Sequence, residues 1–305
     1  MGGRNQLSRP PAPVAPAPRE QEVQHGLPFV KSCKDYRYVK RSCNNCAHDR
    51  QLTNSIGITM TEKNILKPLQ DYALRTHKDP IIVWNDWLEW LCLSLDFSKV
   101  REYDGYPNML LHAKNDNELF FAAMANWFNY ATDKVREAGG AFDSFGHLYE
   151  ENFQSGYKAS KSGQFFTPES LCMSMGNCIG FPNAPTDEVL IAEDSACGSG
   201  RTLIQYHVKA GPSYRLIFSA SDIDITSVRM CALNMYISGM VGRVSQLDAL
   251  SGDWHCGYIV NACKVPSYNV CPSLEYFDKQ EIFESRWETL KNLAKEWDII
   301  KLRKS

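Results

Sequence analysis

The sequence has no run long and apolar enough to cross a bilayer, which takes about 20 consecutive residues, so a membrane span is excluded. Its first residues lack the apolar stretch of a secretory leader, and a cytoplasmic chain is expected. No sign of charge dominates: the formal net charge is −2 over 305 residues, so bulk charge does not announce a nucleic-acid binder. The 11 cysteines are odd in number and scattered through apolar segments, which reads as reduced thiols and not a disulfide framework. There is no long internal repeat. A hydrophobic share of 44% with 22% charged residues excludes a disordered chain, a collagen or a coiled-coil rod, and leaves one large domain or two modest ones.

What charge there is lies unevenly. Residues 1–56 hold nine Lys/Arg against four Asp/Glu, a net of +5, which leaves −7 for the remainder. Residues 1–28 are rich in Pro and Ala, with Pro10, Pro11, Pro13, Pro16 and Pro18 close together. Such a run buries no core and reads as a disordered, polyproline II-like tail. Residues 29–56 form a basic, cysteine-containing segment. Cys43-x-x-Cys46 is a natural half-site for zinc, and Cys33 and His48 are the remaining candidates. His48 lies only two residues beyond Cys46, which is tight for a fourth ligand, and free thiols on a solvated basic segment are the plainer reading; no metal is assigned.

Residues 57–160 read as a helical N-terminal domain. Ile81, Ile82, Trp84, Trp87, Leu88, Trp90, Leu91 and Leu95 recur at helical spacing, as do Phe120, Phe121, Met124, Trp127, Phe128 and Val135. Gly139-Gly140 breaks the run. The tryptophans are expected in the core rather than on a binding platform. Residues 161–305 change pattern. Short strand-like runs at 189–192, 216–220, 243–247 and 258–260 alternate with helical segments, the signature of βαβ units and a parallel sheet covered on both faces. A last amphipathic helix is expected over about 279–297, with Ile282, Phe283, Trp287, Leu290 and Leu293 on one side.

In an open parallel sheet, ligands sit beyond the carboxyl ends of the strands. All four expected strands end in an acid or amide: Asp194, Asp222, Asp248 and Asn261. The first turn is Asp194-Ser-Ala-Cys-Gly-Ser-Gly200, in which Gly198 and Gly200 let the backbone turn tightly and approach a ligand. Position 203 is Leu, so the dinucleotide pattern Gly-x-Gly-x-x-Gly is incomplete, and the Lys-Ser/Thr of a P-loop is missing. Asp222, 24 residues after Gly198, stands where a carboxylate accepts both hydroxyls of a ribose; Asp224 reads as a helix cap. Asp248 is placed to accept the exocyclic amine of an adenine.

Four stretches together make the chain resemble the adenine-N6 DNA methylases, above all the modification subunit of type I restriction systems. They are Asp143-Ser-Phe-Gly-His-Leu-Tyr-Glu150, Gly163-Gln-Phe-Phe-Thr-Pro168, Asp194-Ser-Ala-Cys-Gly-Ser-Gly200 and Leu233-Asn-Met-Tyr-Ile-Ser-Gly239. The resemblance covers roughly residues 140–262. It implies an α/β fold: a Rossmann-like methyltransferase sheet, short at its C-terminal end, preceded by an all-helical region. It implies S-adenosylmethionine as cofactor, with Phe166, Thr167 and Pro168 on the methionine part, Asp194, Gly198 and Gly200 around the amino-acid end, Asp222 on the ribose and Asp248 on the adenine amine. The partner implied is DNA, reached through a separate specificity subunit or domain, and an oligomer is compatible with it.

The family's catalytic motif, Asn-Pro-Pro-Tyr/Phe, is altered. Two carbonyls of that motif accept the hydrogens of the adenine amine and its aromatic side chain stacks on the flipped base. Here the stretch is Val260-Asn261-Ala262-Cys263-Lys264. Asn261 is the catalytic candidate; both prolines and the aromatic residue are replaced. A catalytically degenerate, cofactor-binding or structural subunit of a larger DNA-modification or mobile-element assembly is therefore the alternative function. Only about 44 residues follow the motif.

Overall fold

A computed structural model describes residues 61–96, 117–153, 166–178, 188–211, 214–262 and 272–295. The Pro/Ala-rich tail, the basic segment and its candidate zinc ligands Cys33, Cys43, Cys46 and His48 lie outside the described residues, as do Gly163 to Phe165 and Cys263-Lys264.

Among the described residues, four helices come first: α1 Glu62–Thr76, α2 Pro80–Leu95, α3 Asn117–Glu137 and α4 Ser144–Phe153. Their starts follow from local chemistry. Asn64 Oδ1 accepts the Thr61 N–H at 3.0 Å ahead of α1. Asp79 accepts the Ile81 N–H at 3.0 Å, with Pro80 at the first helical position of α2. Trp84, Trp87 and Trp127 are fully buried, so the tryptophans do form core; Ile82 and Phe121, placed on the same apolar stripes by their spacing, face outward.

Then follow α5 Glu169–Cys178, β1 Val189–Asp194, α6 Arg201–Ala210, β2 Arg215–Asp222, α7 Ile225–Ser238, β3 Gly242–Leu247, β4 Trp254–Val260, β5 Leu274–Phe277 and α8 Gln280–Lys295. The strands form one mixed sheet in the order β1-β2-β3-β4-β5. Side chains of β2 and β4 alternate between two cores. Phe218, Ala220, Tyr258 and Val260 face a large core shared with the helices, while Ile217 and Ile259 face Phe283, Trp287 and Leu290 of α8. Helix α7 is apolar nearly all round because it lies between the sheet and α2, α3 and α4. The chain is thus α/β, with helices on both faces of the sheet.

The topology departs from four parallel strands. β1, β2 and β3 are parallel, but β4 runs antiparallel to β3, and β5 antiparallel to β4. The reason is length. Only residues 248–253 join β3 to β4, and a parallel crossover needs about a dozen residues or more. The connection is instead a tight turn, with the Asp248 N–H donating to the Asp253 carbonyl at 3.0 Å and Gly252 N–H to the Asp248 carbonyl at 2.8 Å. As a result the carboxyl end of β4 lies beside the start of β3, with Val260 opposite Gly242, at the far end of the sheet from Asp194 and Asp222.

Candidate functional site

The turn after β1 is fixed to the end of β2. Cys197 N–H donates to the Ser221 carbonyl at 3.0 Å, and Gly198 N–H donates to Asp222 Oδ2 at 2.9 Å. Gly198 has φ +54 and a Cβ there would lie 2.8 Å from the Phe166 ring; Gly200 has φ +88 and a Cβ there would lie 2.8 Å from Cys231 Sγ. Both glycines are therefore required by conformation and by space at once. Phe166 in turn meets the ring of Tyr149 edge-on, with centroids 5.8 Å apart.

The carboxylates at this edge differ in how they are held. Asp222 also accepts the Asp224 N–H through Oδ1 at 2.9 Å. A carboxylate has about four acceptor positions, so two remain. Asp194 accepts the Ala196 N–H at 3.1 Å. Burial raises its pKa, the Ala196 N–H opposes that, and the nearby Asp222 charge adds to the rise. Asp224 is a cap, accepting Ser227 N–H at 2.9 Å at the start of α7. Asp248 follows β3 at the same edge and accepts the N–H groups of Leu250 and Ser251, at 2.9 and 3.4 Å, which lower its pKa. Two large apolar side chains stand in solvent here: Ile223, 64% exposed, next to Asp222, and Leu250, 99% exposed, near Asp248.

The structure thus gathers Phe166, Thr167, Asp194, Gly198, Gly200 and Asp222 around one turn, with Asp248 on the neighbouring hairpin. Pro168 is exposed and opens α5, its carbonyl accepting from Leu171 and Cys172.

Asn261 does not join them, which corrects the expectation that all four strand ends share one edge. It is fully buried at the opposite end, with φ 56. Its Nδ2 donates to the carbonyls of Met235, Tyr236 and Met240 at 3.1, 3.2 and 2.9 Å, and its Oδ1 accepts the Ser273 N–H at 3.1 Å. These bonds reinforce the C-terminal end of α7, whose Tyr236 and Met235 carbonyls also accept the N–H groups of Gly239 and Met240, at 3.3 and 3.0 Å.

Behind the turn lies a buried polar cluster in which Asp143, Ser144, Gly146, Ser199 and Asn234 come from the stretches that carry the resemblance, and none of its residues has a role assigned from sequence. Asp143 accepts from Gly146 N–H at 2.8 Å and from Ser199 Oγ, Arg201 Nε and Asn234 Nδ2, each at 2.7 Å. Asn234 also donates to the Ser199 carbonyl at 3.0 Å and accepts from Ser144 Oγ at 3.0 Å, which itself accepts the Trp127 indole N–H at 3.0 Å. Arg201 reaches outward to Glu150, at 3.2 and 2.6 Å, and to the Thr167 carbonyl at 3.2 Å. Burial disfavours the guanidinium charge, but the Glu150 hydrogen bonds and the Asp143 charge outweigh it and the pKa is raised. A Cβ on Gly146 would lie 2.1 Å from the Asp143 carboxylate, so that helix turn also demands glycine.

In open α/β sheets, ligands generally lie beyond the carboxyl ends of the parallel strands, where this glycine turn and its acidic strand ends are found. Residues 140–289 match the family model described as N-6 DNA Methylase, the family that the four sequence stretches resemble. A crystal structure titled as the methyltransferase subunit of a type I restriction-modification system from Streptococcus thermophilus is similar at 15% identity and a TM-score of 0.32, over 67% of this chain. The chain spans 43% of that protein's length. No curated protein matches it. Among the described residues, no helix is long and apolar enough to cross a membrane.

Proposed function

We propose that this chain holds S-adenosylmethionine at the carboxyl edge of β1, β2 and β3, as part of an adenine-N6 DNA methyltransferase of the type I modification-subunit kind. The observation that carries this reading is the meeting of Phe166, Gly198 and Asp222, drawn from three separate segments, around one strand–helix turn. A bound S-adenosylmethionine supplies an electrophilic methyl group. The residues fit such a ligand. Gly198 lets the Phe166 ring close on the turn and Gly200 lets Cys231 pack behind it, and Asp222 has two acceptor positions left for the ribose hydroxyls. Ile223 and Leu250 offer apolar faces to a purine, and Asp248, whose charged form is favoured by its N–H partners, suits its amine. Asp194 suits the ammonium of the methionine part, with Phe166, Thr167 and Pro168 beside it. DNA is the partner proposed, reached through a separate specificity subunit or domain.

The placement of Asn261 favours the second reading for this chain by itself. A buried amide whose donor and acceptor atoms both close off local backbone does not reach a flipped base. On that reading the chain holds the cofactor, and the groups that accept the adenine hydrogens come from elsewhere in a larger assembly. Isothermal titration with S-adenosylmethionine tests the first statement, and saturable binding at one site per chain is expected. Tritium transfer from labelled cofactor to mixed-sequence DNA tests the second, and very slow transfer by the isolated chain is expected. No binding refutes the cofactor reading; rapid transfer refutes the subunit reading.

A further inference from the structure

The buried cluster behind the turn is larger than a single loop needs, and its members are far apart in sequence. We infer that Arg201 is a positioning residue for the methionine end of the cofactor site, setting the Thr167 carbonyl and the Gly198–Gly200 turn against each other. This rests on the cofactor reading above. Three observations carry it.

First, Arg201 is the first residue of α6, directly after Gly200, and its side chain is 6% exposed. Its Nε is held by Asp143 at 2.7 Å and its Nη2 by Glu150 at 2.6 Å, so the guanidinium plane is fixed from two sides. Second, the remaining reach of that plane goes to the main chain of Thr167 at 3.2 Å, one residue after Phe166. The ring of Phe166 lies against Gly198, so a rotation of the guanidinium shifts the aromatic wall relative to the turn. Third, the contacts stop there. The adenosine end, formed by Asp222, Ile223 and Asp248, shares no hydrogen bond with Arg201; it meets the turn only where the Gly198 N–H donates to Asp222, which the Asp224 N–H also holds, while Asp248 is held by its own loop. A lysine at 201 keeps the charge but has no planar fork, so it does not serve Asp143, Glu150 and Thr167 together.

The test separates the two ends of the ligand. Affinities of S-adenosylhomocysteine and of 5′-methylthioadenosine, which lacks the amino-acid part, are measured by titration calorimetry for the full chain and for Arg201→Lys. Loss of a charge-assisted contact network corresponds to about a tenfold weakening, which is expected for S-adenosylhomocysteine only, with 5′-methylthioadenosine changed less than about twofold. Should Arg201→Lys fail to fold, Glu150→Gln releases the outer grip while leaving the Asp143 pair intact, and the same split is expected in smaller measure. Equal weakening of both ligands means that the cluster supports the fold alone and overturns the inference. Unchanged affinity for both overturns it as well. If the unmodified chain binds neither ligand, the cofactor reading itself has failed.

Discussion

Replacing Asn261 with alanine separates the two roles the residue has been given. In the structure its amide supplies donors to three buried carbonyls and accepts one N–H at a site with no solvent exposure. The Met235 and Tyr236 carbonyls keep the Met240 and Gly239 N–H groups when the amide is lost, so the cost falls short of the full penalty of about 1–3 kcal/mol that each unpaired buried group would carry. Alanine also has to take φ 56, and left-handed backbone costs a residue with a Cβ roughly 1–2 kcal/mol. The sum expected for Asn261→Ala is about 3–5 kcal/mol, a large fraction of the 5–15 kcal/mol by which native proteins are typically stable. Asn261→Gly removes the same hydrogen bonds without the backbone strain, so it should recover about 1 kcal/mol of the loss. Urea denaturation followed by fluorescence of the buried tryptophans measures both. A variant with the midpoint and slope of the parent, but with methyl transfer abolished, would refute the capping role and return Asn261 to the chemistry.

Asp222→Ala should weaken S-adenosylmethionine by at least about tenfold, since hydrogen bonds to a charged acceptor contribute about 1.5–3 kcal/mol. Asp224→Ala should instead cost about 1 kcal/mol of stability through its lost cap, with affinity little changed; calorimetry and denaturation that show equal affinity loss in both variants speak against the assignment. Gly198→Ala must push the Phe166 ring aside and strain φ +54, so cofactor affinity should fall more than stability does, and a variant with parental affinity would show that Phe166 is not part of the site. The pKa of Asp194 is raised above the ordinary 3.8, so the fold is more stable with this group protonated. The stability it contributes is full below 3.8 and is lost as pH rises through the raised value. Binding of a ligand ammonium favours the charged carboxylate, so affinity should rise over the same window, and a pH titration that is flat there, or unchanged by Asp194→Asn, contradicts the pairing.

The strands and helices themselves were largely legible. The strand-like runs at 189–192, 216–220, 243–247 and 258–260 all fall within strands, and the last helix, expected over about 279–297, is described over Gln280–Lys295. The direction of β4 was misread because strand ends were compared by residue type alone. The six residues between β3 and β4 carry the correction in plain sight, being too few for a crossover. β5 is only four residues long, Leu274–Phe277, and offers too short a pattern to register. The cluster of Asp143, Arg201 and Asn234 was hidden for a different reason. Its bonds join residues 58 and 91 positions apart, and polar residues that satisfy one another inside a core follow no periodicity. Asp143 and Asn234 were marked only by lying within the stretches that carry the resemblance, and Arg201 only by following the third of them directly.

The position of β1 in the sheet has a consequence of its own. It pairs with β2 alone, and Ile191 at its middle is 44% exposed. Every second main-chain amide of β1 therefore points away from the ladder, and among the described residues no strand receives it. A border strand opens to solvent by local fluctuation far more readily than the interior of its sheet, well before the whole domain unfolds. Asp194 and the glycine turn are carried on that border. A ligand bound there has to order a strand that otherwise opens, which takes up part of its binding free energy, so deuterium uptake along residues 189–194 would report occupancy of the site more sensitively than would any signal from the tryptophan-lined interior.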